Sequence, residues 1–156
     1  MARATRATQA LERAGIAFRL HEYLYDPDAE RIGMQAAAAL GVIPGRLFKT
    51  LMVMAGCVVA CALVPSDRQL NLKRLADAAG VKNAALLAAA AAERASGYHI
   101  GGISPLGQRR RCACYLDASA AAHATVLVNG GRRGLQIELA PGDLTRVLDA
   151  VTTQLC

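Results

Sequence analysis

Two apolar runs, Arg46–Met54 and Cys57–Val64, are joined by the short Ala55-Gly56 step. An alternating run would leave one strand face wet, whereas a near-continuous one reads as a strand covered on both faces. The pair therefore predicts a buried β-hairpin that needs other elements packed on each side. The flanking sequence offers them. Residues 3–14 read as a helix, with Ala7, Ala10, Leu11 and Ala14 at helical spacing and Gly15 as the stop. Residues 31–40 read as a second helix closed by Gly41, and Asn71–Ala79 as a third with Asn71 as N-cap and Gly80 as stop. Ala84–Arg94 reads as a fourth, and Pro141 opens a last one to about Val151. Ile16–Tyr25 alternates as a strand, and Arg111–Leu116, Thr125–Val128 and Gly134–Leu139 are further strands. Strands and helices interspersed in this way predict a mixed sheet in a single α+β domain spanning residues 1–156.

Composition narrows the function. At 156 residues the chain can bury a core without a metal or disulfide staple. Its 54% hydrophobic content excludes disorder, and 4% aromatics with no tryptophan argues against a base-stacking RNA-recognition sheet. The apolar runs Ala84–Ala92 and Leu51–Val64 are too short or interrupted to span a membrane as helices. Eighteen Lys+Arg, fifteen of them arginine, stand against twelve Asp+Glu, a net +6. That balance suits a polyanionic partner such as nucleic acid, or solubility alone. The cations concentrate at Arg109, Arg110 and Arg111 and at Arg132 and Arg133. Five cysteines and a polar Met1-Ala2-Arg3-Ala4-Thr5-Arg6 start lead to the expectation of a reducing cytoplasm with free thiols. Cys112 and Cys114 are spaced to share a strand face, but without a second pair they are a poor zinc signature, and no metal or other cofactor is expected.

His21, His99 and His123 are scattered, with no partner acid or nucleophile near them in sequence. Two features carry chemistry. Lys49 sits inside the first apolar strand, where an ammonium must reach a cleft, a partner, or water by snorkelling. The segment Gly97–Gly107 holds four glycines and a proline, more than an ordinary turn requires. Such a loop lets a ligand approach the main chain and exposes backbone N–H groups.

The strings Phe48-Lys49-Thr50-Leu51, Gly97-Tyr98, Gly101-Gly102-Ile103-Ser104-Pro105-Leu106-Gly107-Gln108 and Gly130-Gly131-Arg132-Arg133-Gly134-Leu135, followed by Ile137-Glu138-Leu139, resemble the YbaK/EbsC family. These are free-standing relatives of the editing domain of bacterial prolyl-tRNA synthetase. The likeness runs from about Ala10 to Asp149 and includes His21-x-Tyr23 and Gly142-Asp143-Leu144. The resemblance implies an α+β domain around a mixed, barrel-like sheet flanked by helices, with a pocket for the 3′-terminal aminoacyl-adenosine. It implies deacylation of mischarged tRNA in trans, chiefly Cys-tRNA(Pro) and also Cys-tRNA(Cys), with the substrate's own thiol as nucleophile. Prolyl-tRNA synthetase would be a transient partner.

Carried over, the resemblance makes Lys49 and Gly102 catalytic. Tyr23, Thr50, Gly101, Ile103, Ser104, Pro105, Asn129 and Gln136 become substrate contacts, and the arginine clusters contact tRNA. An aminoacyl ester is already activated, so positioning and oxyanion stabilisation can suffice. Two positions depart from the family pattern: Asn129 stands where a serine is usual and Gln136 where an aspartate is usual. The loss of that negative charge leaves Ala-, Ser- or Thr-charged tRNA open as substrate. A non-catalytic tRNA-binding module and a thiol-based redox or metal protein using Cys112 and Cys114 are the readings from other classes.

Overall fold

A computed structural model describes residues 4–156. In chain order it contains α1 (Arg6–Arg13), β1 (Arg19–Glu22), α2 (Ile32–Leu40), β2 (Phe48–Ala55), β3 (Val58–Pro65), α3 (Leu72–Ala79), β4 (Ala84–Leu86), α4 (Ala89–Ser96), β5 (Ala113–Asp117), β6 (Val126–Asn129), β7 (Leu135–Leu139), α5 (Pro141–Leu148) and β8 (Val151–Thr153). The hairpin of β2 and β3 is in register from Phe48–Pro65 to Ala55–Val58. Its two faces feed different cores, as continuous hydrophobicity demands. Phe48, Met52, Cys61 and Leu63 face a main core with Leu11, Val126, Ile137 and Leu144. Val53, Ala55, Ala60, Ala62 and Val64 face a second one closed by Leu75 of α3 and by Leu155.

The strands form two sheets, ordered β1-β7-β6 and β4-β2-β3-β5-β8. β2 is hydrogen-bonded to β4 only along Val53–Ala55, so its first half has a free edge. There Leu47 forms a parallel bridge to Leu127 and brings the sheets edge to edge. The arrangement is a mixed sheet bent around the main core, not a closed barrel. β3 with β5 and β5 with β8 are parallel, and the hairpins are antiparallel.

The helix signals mostly hold. Thr5 caps α1 in a reciprocal bond pair with Thr8, the Asn71 side chain accepts from the Arg74 amide, and Gly41 and Gly80 end their helices in left-handed conformation. Residue 3 of the first expected helix lies outside the described residues. Other expectations are corrected. Ala84–Leu86, expected as helix, is instead the edge strand β4. Alanine's helix propensity is overridden by pairing with β2 and by the Leu87 amide donating to the Met52 carbonyl. The last helix stops at Leu148, where Asp149 turns left-handed at φ 51°, and Val151–Thr153 pairs with β5. The expected strand Ile16–Tyr25 shrinks to Arg19–Glu22, the residues paired with β7. Pro44–Arg46 is a 3₁₀ turn rather than the start of β2. Among the described residues no helix is long and apolar enough to cross a membrane.

Candidate active site

One sheet face collects polar side chains from four strands. Residues paired across a sheet share a face, as do residues two apart along a strand. Asn129 pairs with Gln136, Gln136 pairs with His21, and Tyr23 lies two residues beyond His21. Two residues on from the Leu47–Leu127 bridge stand Lys49 and Asn129. Lys49, Asn129, Gln136, His21 and Tyr23 therefore form a row across β2, β6, β7 and β1. α2 covers one end, packing Ala36 and Ala37 on Leu47, Leu127 and Tyr23.

Lys49 is half-buried, and among the described residues it makes no ion pair. Burial holds its pKa below the ordinary lysine value, and the nearby Arg31 guanidinium lowers it further, against smaller opposing effects of Cys156 and Asp67. Among the described residues, buried polar atoms with no protein partner are Tyr23 Oη and Gln136 Oε1 in the row, Gln35 Oε1 on α2, and Thr50 Oγ1 on the other side of β2. An unpaired buried polar group costs about 1–3 kcal/mol, and two of these, Tyr23 and Gln136, adjoin each other in the row. Gln136 is 4% exposed. Burial also raises the Tyr23 pKa, which keeps its hydroxyl protonated beside Gln136. Thr50 alternates onto the opposite side of β2 from Lys49 and reaches toward the main core.

The glycine loop is braced against this face. The Asn129 side chain donates to the Gly101 carbonyl at 3.0 Å and accepts from the Gly131 amide at 2.7 Å, which ties the loop to the β6–β7 turn. Gly101 has φ 90°, and a Cβ there would lie 2.6 Å from Tyr25 Oη. A Cβ on Gly102 would lie 2.9 Å from Arg132 and Arg133 backbone atoms. The Gly102 amide donates to the His99 carbonyl, whereas the Gly101 and Ile103 amides have no acceptor among the described residues. Ser104 is fully buried and its hydroxyl accepts from the Leu106 amide. Its carbonyl accepts from the Gln108 side chain, and Tyr98 donates to the Leu106 carbonyl. Ile103, Ser104 and the buried Pro105 thus shape the loop from inside.

The two arginine clusters are separated. Arg132 and Arg133 border the loop, Arg132 3.4 Å from Glu22 and Arg133 donating to the Ile100 carbonyl across the Tyr25 ring. Arg109, Arg110 and Arg111 are exposed and line, with Arg94, Met52 and Met54, a groove of about 1040 Å³ on the opposite face of β2 from Lys49.

Sequence reasoning missed Arg31 and Gln35, which adjoin the row, and a network at its far end. Glu138 accepts from Arg46 at 2.6 Å and Thr125 at 2.6 Å, and pairs with His21 at 2.7 Å. The available signal was the alternation of polar residues, His21/Tyr23 and Gln136/Glu138, within otherwise apolar strands. The Thr125 and His21 bonds hold the Glu138 carboxyl below its usual pKa. A depressed carboxylate stabilises the fold above its unfolded pKa, an effect lost as pH falls through the folded value. Glu138→Gln should therefore cost ~1 kcal/mol at neutral pH, a cost that shrinks as falling pH protonates the folded carboxylate, read from denaturant unfolding over a descending pH series.

Cys112, Cys114 and Cys156 are held as thiols. Cys114 is pushed up to about 12, its bond to Cys112 outweighed by that to Cys61 and by burial. Cys156 is pushed up to about 11 by burial and by Asp117, and Cys112 is raised chiefly by its bond with Cys114. Cys57 is exposed, at the hairpin turn.

Residues 26–147 match the family model of the aminoacyl-tRNA editing domain. An Enterococcus faecalis (strain ATCC 700802 / V583) protein named "Putative Cys-tRNA(Pro)/Cys-tRNA(Cys) deacylase EbsC" is 36% identical over 143 residues, covering 88% of this chain and 84% of that protein. Among solved structures, "hypothetical protein APE2540" superposes with a TM-score of 0.84 at 26% identity, covering 97% of this chain and 99% of that one. A "putative trans-editing enzyme for prolyl tRNA synthetase" superposes at 0.84 and 24% identity, covering 96% of this chain and 94% of that one, and shows the shared fold.

Proposed function

The chain belongs to the aminoacyl-tRNA editing domain family, and from that premise we propose that it deacylates mischarged tRNA in trans, with Cys-tRNA(Pro) as principal substrate and Cys-tRNA(Cys) as a second. The observation that carries the reading is the row itself. It sets a half-buried cation and the orphaned groups of Gln136 and Tyr23 on one face, tied through Asn129 to a loop with unpaired amides, with no side chain among them poised as a covalent nucleophile. Such a surface can bind and polarise an ester but leaves the attack to the substrate.

In this mechanism Lys49 anchors the terminal ribose or phosphate and favours charge developing on the ester. The Gly101 and Ile103 amides are the oxyanion donors. Gly102, its own amide held by His99, supplies the close packing that fixes them. The cysteinyl thiol of the substrate attacks its own carbonyl, the carbon–sulfur bond forms, and the bond to the ribose oxygen breaks. The thiol proton passes to that oxygen, so the products are a cyclic thiolactone and tRNA with a free 3′ end. Tyr23 and Gln136 line the aminoacyl side, and Thr50, Ser104, Pro105 and Asn129 keep strand and loop in place. Action in trans sets the protein beside prolyl-tRNA synthetase, the source of the mischarged tRNA, in the cytoplasm. The test is a deacylation panel of Cys-, Ala-, Ser- and Thr-charged tRNA(Pro) with Cys-tRNA(Cys). Cleavage of the cysteinyl substrates above the rest supports the reading, and no cleavage of any refutes it.

Arg132 and Arg133 border the loop, so they are assigned to the tRNA backbone near its acceptor end. Arg109, Arg110 and Arg111 would meet the RNA only further along its body. Changing Arg132 and Arg133 together to glutamine should weaken tRNA binding and flatten its salt dependence by a log–log slope of about 0.7–0.9 per lost contact. An unaltered slope would turn these side chains away from the RNA.

A further inference from the structure

Gln136 is the most deeply buried polar member of the row, and its Oε1 has no partner. The Tyr23 hydroxyl lies close beside the Gln136 side chain without a full hydrogen bond to it, and burial keeps that hydroxyl protonated. What would satisfy the pair is a small group that donates to the Gln136 oxygen and accepts from the Tyr23 hydroxyl, as a neutral amine or a hydroxyl does. What the face lacks is a free negative charge to hold a cation.

The inventory is one-sided. β2 presents Lys49, and the segment before α2 presents Arg31. β7 presents Glu138, but that carboxylate is shared among Arg46, Thr125 and the β1 residue His21. The β6–β7 turn adds Arg132, facing Glu22, and Arg133. β5 adds the buried Asp117, whose carboxylate is taken up by the Ser119 amide and hydroxyl and by the Leu155 amide, while Asp26, Asp28, Glu30 and Asp67 are exposed, where water screens them. α2 contributes the neutral Gln35, and the C-terminal residue contributes the protonated thiol of Cys156. An ammonium group brought here would be desolvated next to two cations, which disfavours the charged form.

We propose that the site binds its aminoacyl ester with the α-substituent as a neutral donor held by Gln136 and Tyr23, so that α-hydroxyacyl esters are accepted on equal terms with α-amino ones. This rests on the deacylase reading and names its substrate class more closely. The Gln136 amide is the specificity-determining group, because a carboxylate in its place would select the ammonium form.

The experiment uses tRNA(Pro) ending in 3′-amino-3′-deoxyadenosine, acylated through an uncleavable amide with either L-alanine or L-lactic acid. The two probes are nearly isosteric and differ in whether the α-substituent can carry charge. An α-amine titrates near pH 8, so dropping the pH from 8.5 to 6.5 should weaken alanyl-tRNA binding about twentyfold. Lactyl-tRNA should bind equally at both, and within about threefold of the alanyl probe at pH 8.5. His21→Asn, which removes the imidazole of the row, should keep the alanyl trend. Gln136→Asp should reverse it, so that the alanyl probe is favoured at pH 6.5. Alanyl-tRNA binding more tightly than lactyl-tRNA at pH 6.5 in the parent protein would overturn the proposal while leaving deacylation standing. If neither probe bound better than uncharged tRNA, the deacylase reading would fall, and the proposal with it.

Discussion

Lys49→Ala should reduce deacylation of Cys-tRNA(Pro) by about 10²–10³ while the protein stays folded, the scale at which a preorganised electrostatic contact to a developing oxyanion acts. The expectation follows from the price already present in the fold. A half-buried ammonium with its pKa depressed by burial and by Arg31 is a strained feature among apolar strand residues, so removing it should relieve the strand rather than break it. Thermal unfolding separates the two effects, because loss of activity with an unchanged or raised Tm assigns Lys49 to the reaction. Activity within a few-fold of the parent would remove Lys49 from the site. Lys49→Arg keeps the charge but not the compact ammonium, and should recover only part of the rate.

The second large effect is expected at Gly102. Its would-be Cβ lies 2.9 Å from the Arg132 Cα, the Arg132 carbonyl carbon and the Arg133 amide nitrogen, all backbone, so none can swing aside. Gly102→Ala must push the loop away from the β6–β7 turn and carry the Gly101 and Ile103 amides with it. A displacement of about 1 Å in a positioned group can cost 10² in rate. The matched control is Gly142→Ala on α5, where nothing lies within 4 Å. It should leave the rate intact and stabilise by at most ~1 kcal/mol. Equal rates in the two variants would show that the loop does not hold the ester.

What could be read from the chain and what could not divide along physical lines. The β2–β3 hairpin was legible because continuous hydrophobicity leaves few alternatives, and the glycine stops at Gly41 and Gly80 marked helix ends that the fold uses. Ala84–Leu86 was misread because alanine's intrinsic preference says nothing about an unpaired strand edge waiting nearby. Lys49 stood out as a charge in an apolar run. Its neighbours in the row did not, since Tyr23, Asn129 and Gln136 reach it only through cross-strand register between distant segments. Those residues were named through family resemblance, and the register gives the resemblance a geometric reason. Arg31, Gln35 and the Glu138 network carry no local pattern that separates them from ordinary surface polarity. The arginines illustrate the reverse case, because two clusters alike in sequence lie in different settings, one beside the loop and one on a groove across the sheet.

In the proposed reaction the substrate thiol, and not the protein, performs the attack. Its most direct measurement compares cleavage of Cys-tRNA(Pro) and Ser-tRNA(Pro) by a variant in which Cys57, Cys61, Cys112, Cys114 and Cys156 are all replaced by serine or alanine. Cys61 and Cys114 are buried in the main core, so that variant is compared at equal folded fraction. A hydroxyl ionises far less readily than a thiol of pKa about 8.5, so it is a much poorer intramolecular attacker. Cys-tRNA(Pro) should be cleaved at close to the parental rate and Ser-tRNA(Pro) hardly at all. Equal cleavage of the two, or loss of cysteinyl cleavage with the protein's own thiols, would contradict it.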